Sequence, residues 1–179
     1  MNDAAEILVR DAELPGDLDA IERLWFEYLT WGNEEMQARH GMHPHSPRET
    51  VAEDIASIAK FQPPDGRLVL AFKEGRACGV GSLRRIGADT AEIKRMYVDP
   101  AVRRSGAGRA ILDYLLAAAT NAGYRRARLD SPRFMTAAHA LYRSFGFVDI
   151  EPYAESEIPD AFKPLLLFME KDLRPARSR

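Results

Sequence analysis

The stretch DPAVRRSGAGRAIL, Asp99–Leu112, joins two apolar runs through proline, paired arginines and two glycines. Before it, AEIKRMYV (Ala91–Val98) reads as a strand. After it, Ala110, Ile111, Tyr114, Leu115 and Ala118 recur at helical spacing, and Asn121 and Gly123 end the helix. The stretch is therefore a turn from a strand into a helix N-terminus. Free N–H groups and the helix dipole at such an end favour an anion. Gly106 and Gly108 let the backbone come close to a ligand, and Arg103, Arg104 and Arg109 supply charge-assisted donors. A diphosphate suits that combination. The competing reading is a plain turn with surface arginines.

Two common phosphate loops are excluded. A Walker loop requires GxxxxGK[ST], and here Gly108 is followed by Arg109-Ala110. A dinucleotide fingerprint requires GxGxxG, but the third glycine is replaced by Ile111.

Working outward, Ile7 to Arg10 is a short strand. Asp17-Leu18-Asp19 opens a helix whose apolar positions are Leu18, Ile21, Leu24, Trp25, Tyr28 and Leu29. Trp31-Gly32-Asn33 is expected to end it, with a short helix over Glu34–Arg39. HGMHPHSP is a loop and Glu49–Lys60 a second helix. Arg67–Phe72, Ala77–Arg85 and Ala91–Val98 form an antiparallel run of strands. Arg126–Asp130 is a strand, Met135 to Phe145 a helix stopped by Gly146, and Phe147–Ile150 and Leu165–Met169 are strands. The order β-α-α-β-β-β-α-β-α-β-β implies a mixed α/β sheet with helices on both faces. The strand-helix-strand crossover requires one parallel pair. Residues 1–173 are read as one domain and 174–179 as a frayed basic tail.

A chain of 179 residues, 46% apolar and 29% charged, is that of a soluble globular protein. A net charge of -2 gives no general case for nucleic acid or an anionic membrane as partner. The single cysteine, Cys78, has no internal disulfide partner. The early acids of MNDAAEILVRDAE argue against a signal peptide, and no run is long enough to span a bilayer. The expected location is the cytoplasm.

Arg103-Arg104-Ser105-Gly106-Ala107-Gly108 matches R/Q-x-x-G-x-G/A and so resembles the coenzyme A loop of the GNAT acyltransferase superfamily. EIKRMYVDP, AAHALYRSFGF and the strand order resemble the same family over nearly the whole chain. The resemblance implies a GNAT-like fold and acetyl-CoA as co-substrate. It implies acetyl transfer to a primary amine of a small molecule, amino acid or peptide N-terminus, directly through a tetrahedral intermediate. Backbone N–H groups of Arg104, Ser105, Gly106, Ala107 and Gly108, with Arg103 and Arg109, would hold the pyrophosphate. Met96, Tyr97 and Val98 would follow the pantetheine arm, and a main-chain N–H near Met96 or Tyr97 would polarise the thioester carbonyl. The strand before the loop is expected to splay from Arg126–Asp130 to admit that arm.

Tyr142, four residues before Gly146-Phe147, matches the family's acid for the departing thiolate; otherwise it is a core tyrosine. Glu92 lies on the strand where relatives often place a general base. Its other reading is a solvated carboxylate paired with Lys94, with water as the base. Met135 stands where many relatives carry asparagine, so Ser131 becomes a substitute polar contact. Tyr28, Trp31 and Tyr153 are the acceptor-pocket candidates, with Glu155 beside them; Trp25 reads better as packing. His40, His43 and His45 share one loop without a second ligand cluster, so that loop is read as solvated and no metal is expected. A homodimer is compatible with the family, and no sequence feature decides it. The alternative function is a non-catalytic acyl-CoA binding module or sensor. Nucleic-acid binding through Arg103, Arg104, Arg109, Arg125, Arg126 and Arg128 lacks the net charge and interleaved aromatics it needs.

Overall fold

The computed structural model describes residues 6–174. The expected tail past Arg174 and the first five residues lie outside the described residues. The chain runs β1 (Ile7–Asp11), α1 (Leu18–His40), α2 (Pro47–Ala56), β2 (Arg67–Lys73), β3 (Arg76–Arg85), β4 (Thr90–Val98), α3 (Ala107–Asn121), β5 (Arg126–Pro132), α4 (Thr136–Ser144), β6 (Val148–Ile150) and β7 (Leu166–Asp172). Among the described residues the strands form one seven-stranded sheet in the order β1-β2-β3-β4-β5-β7-β6. Every pairing is antiparallel except β4 with β5, which is parallel. The expected mixed α/β architecture is thus present.

Alternation along the strands divides the core. Val69 and Ala71 of β2 pack with Ile111, Leu112 and Leu115 of α3 on one face. Leu68 and Leu70 pack with Ile21, Leu24 and Trp25 of α1 on the other. Trp25 is fully buried against Phe61, so it serves packing. A third cluster, Tyr153, Leu166 and Phe168, closes the far end of the sheet.

The first helix departs from the expectation. It continues through Gly32 to His40 and ends at Gly41, which takes a left-handed φ of 66°. Glycine weakens a helix but does not end one when apolar spacing continues. Here Asn33 and Met36 remain buried at and beyond the point where a stop was expected. Asp17 holds the N-cap position without capping through its side chain, which instead pairs with Arg10 at 2.6 Å.

Two glycines of β3 let α3 lie close on the sheet. A Cβ at Gly81 would stand 2.5 Å from Ile111 Cγ2 and 3.0 Å from Leu115 Cδ1; one at Gly79 would stand 2.9 Å from Ile111 Cδ1. Gly81→Ala should therefore overpack the α3 face and cost about 1–3 kcal/mol. Gly32, with open space around its Cβ position, should gain about 0.5–1 kcal/mol on replacement by alanine. Thermal denaturation of the two variants should move in opposite directions.

Candidate active site

The parallel ladder between β4 and β5 lasts only three residue pairs, from Thr90↔Arg126 to Glu92↔Arg128. Beyond it β4 continues to Val98 and β5 to Pro132, and a gap opens between them. The expected splay is present.

A bulge shapes the β4 side of the gap. The register of β3 and β4 slips between Val80↔Tyr97 and Ser82↔Lys94, so Arg95 and Met96 together face Gly81. Arg95 takes the left-handed φ of 53°, rare for a residue with a Cβ. Its guanidinium bonds Asp54 of α2 at 2.6 Å, and Lys60 bonds the same carboxylate at 3.1 Å. The extra residue inverts the side-chain phase. Ala91 and Ile93 face α3, and after the bulge Met96 and Val98 do so as well. Tyr97 turns instead to α1, where its ring lies 5.8 Å from that of Tyr28.

Three cavities meet at the gap. The first is a cleft of about 540 Å³ over the α3 N-terminus, lined by Met96, Tyr97, Val98, Arg103, Arg104, Ala107, Gly108, Trp31, Tyr28 and Tyr142. The second is a chamber of about 260 Å³ under α1, reached by Tyr28, Met135, Lys94, Arg95 and Asp130. A narrow space of about 50 Å³ between β4 and β5 connects their walls, sharing Met96 and Tyr142 with the cleft and Lys94, Arg95 and Asp130 with the chamber. Tyr28 and Met135 border all three.

The glycine loop leads into the cleft. Asp99 accepts from the Ala101 N–H and turns the chain through Pro100–Val102. Arg104 at φ 65° and Gly106 at φ 91° then bend it into α3. The first N–H groups of a helix have no intrahelical acceptor, and at Ala107 and Gly108 they border the cleft. A Cβ on Gly108 would meet nothing nearer than 3.5 Å. Packing does not demand glycine there, so its bare backbone leaves room for a ligand. Ser105 turns its N–H to the Val102 carbonyl at 3.3 Å. Ser105, Gly106 and Arg109 do not line the cleft; Arg109 lies over Phe145 and bonds Ser144. Arg103 lies over Trp31, whose ring also meets Phe134 edge-on.

Tyr142 is nearly enclosed on α4, with its ring against Phe147 and its hydroxyl 4.0 Å from the Met96 sulfur. Burial raises its pKa above the ordinary tyrosine value, and Tyr28 and Asp130 push it the same way. The hydroxyl therefore keeps its proton at neutral pH.

Glu92 and Tyr153 sit elsewhere. Glu92 is fully buried, not solvated, and lines none of the three cavities. Its carboxylate accepts from the Tyr153 hydroxyl at 2.7 Å and from Arg84 at 2.6 Å, with Lys94 at 3.7 Å. Arg84 and Lys94 also hold Glu157. Burial and the Glu92 charge push the Tyr153 pKa far up. Glu155 pairs with Arg128 at 3.5 Å.

The loop after α1 is solvated only in part. His40 and His43 are exposed, but His45 lines the chamber with its Nε2 enclosed and unpartnered among the described residues. Burial lowers its pKa, so the ring is neutral. Among the described residues no three ligand-type side chains gather as a metal site would require. Ser131 bonds the buried His139 at 3.1 Å and touches the Met135 sulfur. His139 carried no sequence signal beyond helical spacing.

A family model described as the acetyltransferase (GNAT) family matches residues 19–147. The chain belongs to the GNAT family. An Azospirillum brasilense protein named IAA acetyltransferase is 36% identical over 67% of this chain and 74% of its own length. An uncharacterized N-acetyltransferase of Schizosaccharomyces pombe is 29% identical over 87% of this chain and 91% of its own. The same fold recurs in a GCN5-related N-acetyltransferase from Kribbella flavida, at 25% identity and a TM-score of 0.69 over 93% of this chain and 97% of that one. It recurs in the PaiA N-acetyltransferase of Thermoplasma acidophilum in complex with coenzyme A, with TM-score 0.67, 18% identity, and coverage of 93% and 99%. By family this GNAT chain is an N-acetyltransferase. No helix among its described residues is long and apolar enough to cross a membrane.

The bulge has its own test. Asp54→Ala leaves the Arg95 and Lys60 charges without their shared partner. The protein should lose about 2–3 kcal/mol, somewhat below the loss for a fully buried pair because Arg95 is partly exposed. Chemical denaturation measures it.

Proposed function

We propose that this chain transfers the acetyl group of acetyl-CoA to the primary amine of a small molecule, using the cleft for the donor and the chamber for the acceptor. One observation carries the reading: the β4–β5 gap shares walls with both the cleft and the chamber, and Tyr142 borders it. The solved relatives in complex with coenzyme A and with acetyl-CoA support the choice of donor. Bound there, acetyl-CoA supplies an activated acetyl group. The N–H groups of Ala107 and Gly108, with Arg103 and Arg104, hold the diphosphate. Met96, Tyr97 and Val98 border the arm, and the main-chain N–H of Met96 or Tyr97, displaced by the bulge, polarises the carbonyl. Tyr142 Oη carries the proton that the departing sulfur takes. Glu92, already held by Arg84 and Tyr153, is not assigned the amine's proton; that proton passes to water.

Calorimetric titration with acetyl-CoA tests the donor site. The wild type should bind, and the Arg104→Glu, Gly106→Glu double variant should not. A wild type that does not bind overturns the reading, and binding without turnover on an amine panel leaves a sensor. Tyr142→Phe should lower kcat by about 10²-fold or more with donor affinity unchanged. The pH profile has a definite sign. The acceptor must lose a proton, so kcat/KM rises with pH. A tyrosine pKa raised by burial keeps Tyr142 protonated through that rise. No falling limb should therefore appear below pH about 10, the ordinary tyrosine value. A fall near neutrality assigns the acid elsewhere.

A further inference from the structure

The chamber is walled mostly by apolar groups, among them Met36, Met135, Ile158, Phe162 and Leu166. Its charged groups are nearly all committed. Lys94 bonds Glu157 at 3.3 Å, and Arg84 holds the same carboxylate. Arg95 bonds Asp54 at 2.6 Å. His45 is neutral by burial. Asp130 is the exception: among the described residues its carboxylate has no hydrogen bond and no ion pair, although it is half-buried and borders both the chamber and the gap.

The fold could have satisfied Asp130. Continued for two more residues, the parallel register that pairs Glu92 with Arg128 would have set Lys94 beside Asp130. The strands part first, and Lys94 turns to Glu157. Burial then raises the Asp130 pKa, against the pull of Lys94 and Arg95. An unpaired carboxylate in such a place destabilises the folded chain, and a cation from outside the chain would relieve that cost.

We propose that Asp130 docks the acceptor's ammonium group, and that the acceptor is a compact primary amine with an apolar body. This rests on the acetyl-transfer reading and adds the substrate class. A cation at Asp130 stands where the chamber opens to the gap, which Tyr142 also borders. Its apolar body fills the space toward Phe162 and Leu166. A volume of about 260 Å³ falls just below the roughly 300–1,000 Å³ of drug-sized ligand sites. A small amine fits wholly within such a space, whereas a peptide leaves most of its length outside.

The probe is phenethylamine, titrated into the full chain with and without coenzyme A. Hydrocinnamate, which carries a carboxylate on a similar body, and an octapeptide with a free N-terminus are the controls. The expected result is that the amine binds, hydrocinnamate does not, and the octapeptide binds more weakly. Asp130→Asn should lose about 10- to 100-fold in amine affinity, the worth of one charged hydrogen bond. It should keep its acetyl-CoA affinity and a melting temperature at or above that of the wild type. A residue needed only for folding would lower that temperature. In turnover, the amine KM should rise more than kcat falls. The proposal is overturned if Asp130→Asn binds the amine as the wild type does, if the wild type ignores the amine, or if hydrocinnamate binds equally well. Tighter binding of the octapeptide overturns the size class. A failure of the donor reading shows separately, as no binding of acetyl-CoA, while the amine titration still decides Asp130.

Discussion

The site depends on one residue inserted into a strand. Without the bulge, β4 would keep a period of two, and Met96 would face α1 while Tyr97 faced α3. The slip at Arg95 reverses both. It brings Met96 to Tyr142 and Tyr97 to Tyr28, and it leaves Lys94 and Arg95 together on the chamber side. A left-handed arginine costs about 1–3 kcal/mol of strain. The Asp54 carboxylate offsets that cost by holding the guanidinium from α2. The second helix, remote from the glycine loop, therefore helps set the geometry of the cleft.

The same strand explains why Glu92 is enclosed. It is the last β4 residue in the parallel ladder, at the point where the sheet forks. A fork exposes backbone and side chains that a continuous sheet would cover. Here Arg84, Lys94, Glu157 and Tyr153 gather around the carboxylate and fill that corner with mutually satisfied charge. Such a network specifies an arrangement more than it stabilises one. It sits where the ladder stops and the gap begins.

Much of this was legible in the sequence, because it rests on local patterns. The alternation of Arg126–Asp130, the helical spacing from Ala110 and the glycines of the loop each report on a few neighbouring residues. The element order and the positions of Arg103, Arg104 and Gly108 at the cleft followed from them, and the family resemblance added Tyr142. What was not legible depends on partners far along the chain. Nothing in EIKRMYV marks Arg95 as left-handed, since its warrant is Asp54, 41 residues earlier. Glu92 read as a general base or a solvated carboxylate, not an enclosed one, because Tyr153 and Arg84, which enclose it, lie on other elements. Gly32 looked like a stop because its own propensity is poor, whereas packing of Asn33 and Met36 carries α1 past it. His45 read as part of a solvated loop, yet the long helix delivers that loop against the chamber.

The charges around the gap are sorted by distance from the chemistry. Arginine and lysine are paired within the protein wherever they border the chamber, as with Arg95 to Asp54 and Lys94 to Glu157. At the cleft, Arg104 and the helix N-terminus present donors that no protein carboxylate neutralises among the described residues. One end thus favours an anion and the other, through Asp130, a cation. Tyr28, Met135, Met96 and the protonated Tyr142 border the space between them, with Lys94, Arg95 and Asp130 where it meets the chamber. A transfer from an anionic carrier to an ammonium-bearing acceptor needs that separation. The two ligands are drawn in from opposite sides by full charges, and they meet at the gap, where Tyr142 contributes a proton. The splay of β4 and β5 leaves Asp130 to the acceptor because it breaks the Lys94–Asp130 pairing that a continuous sheet would have made.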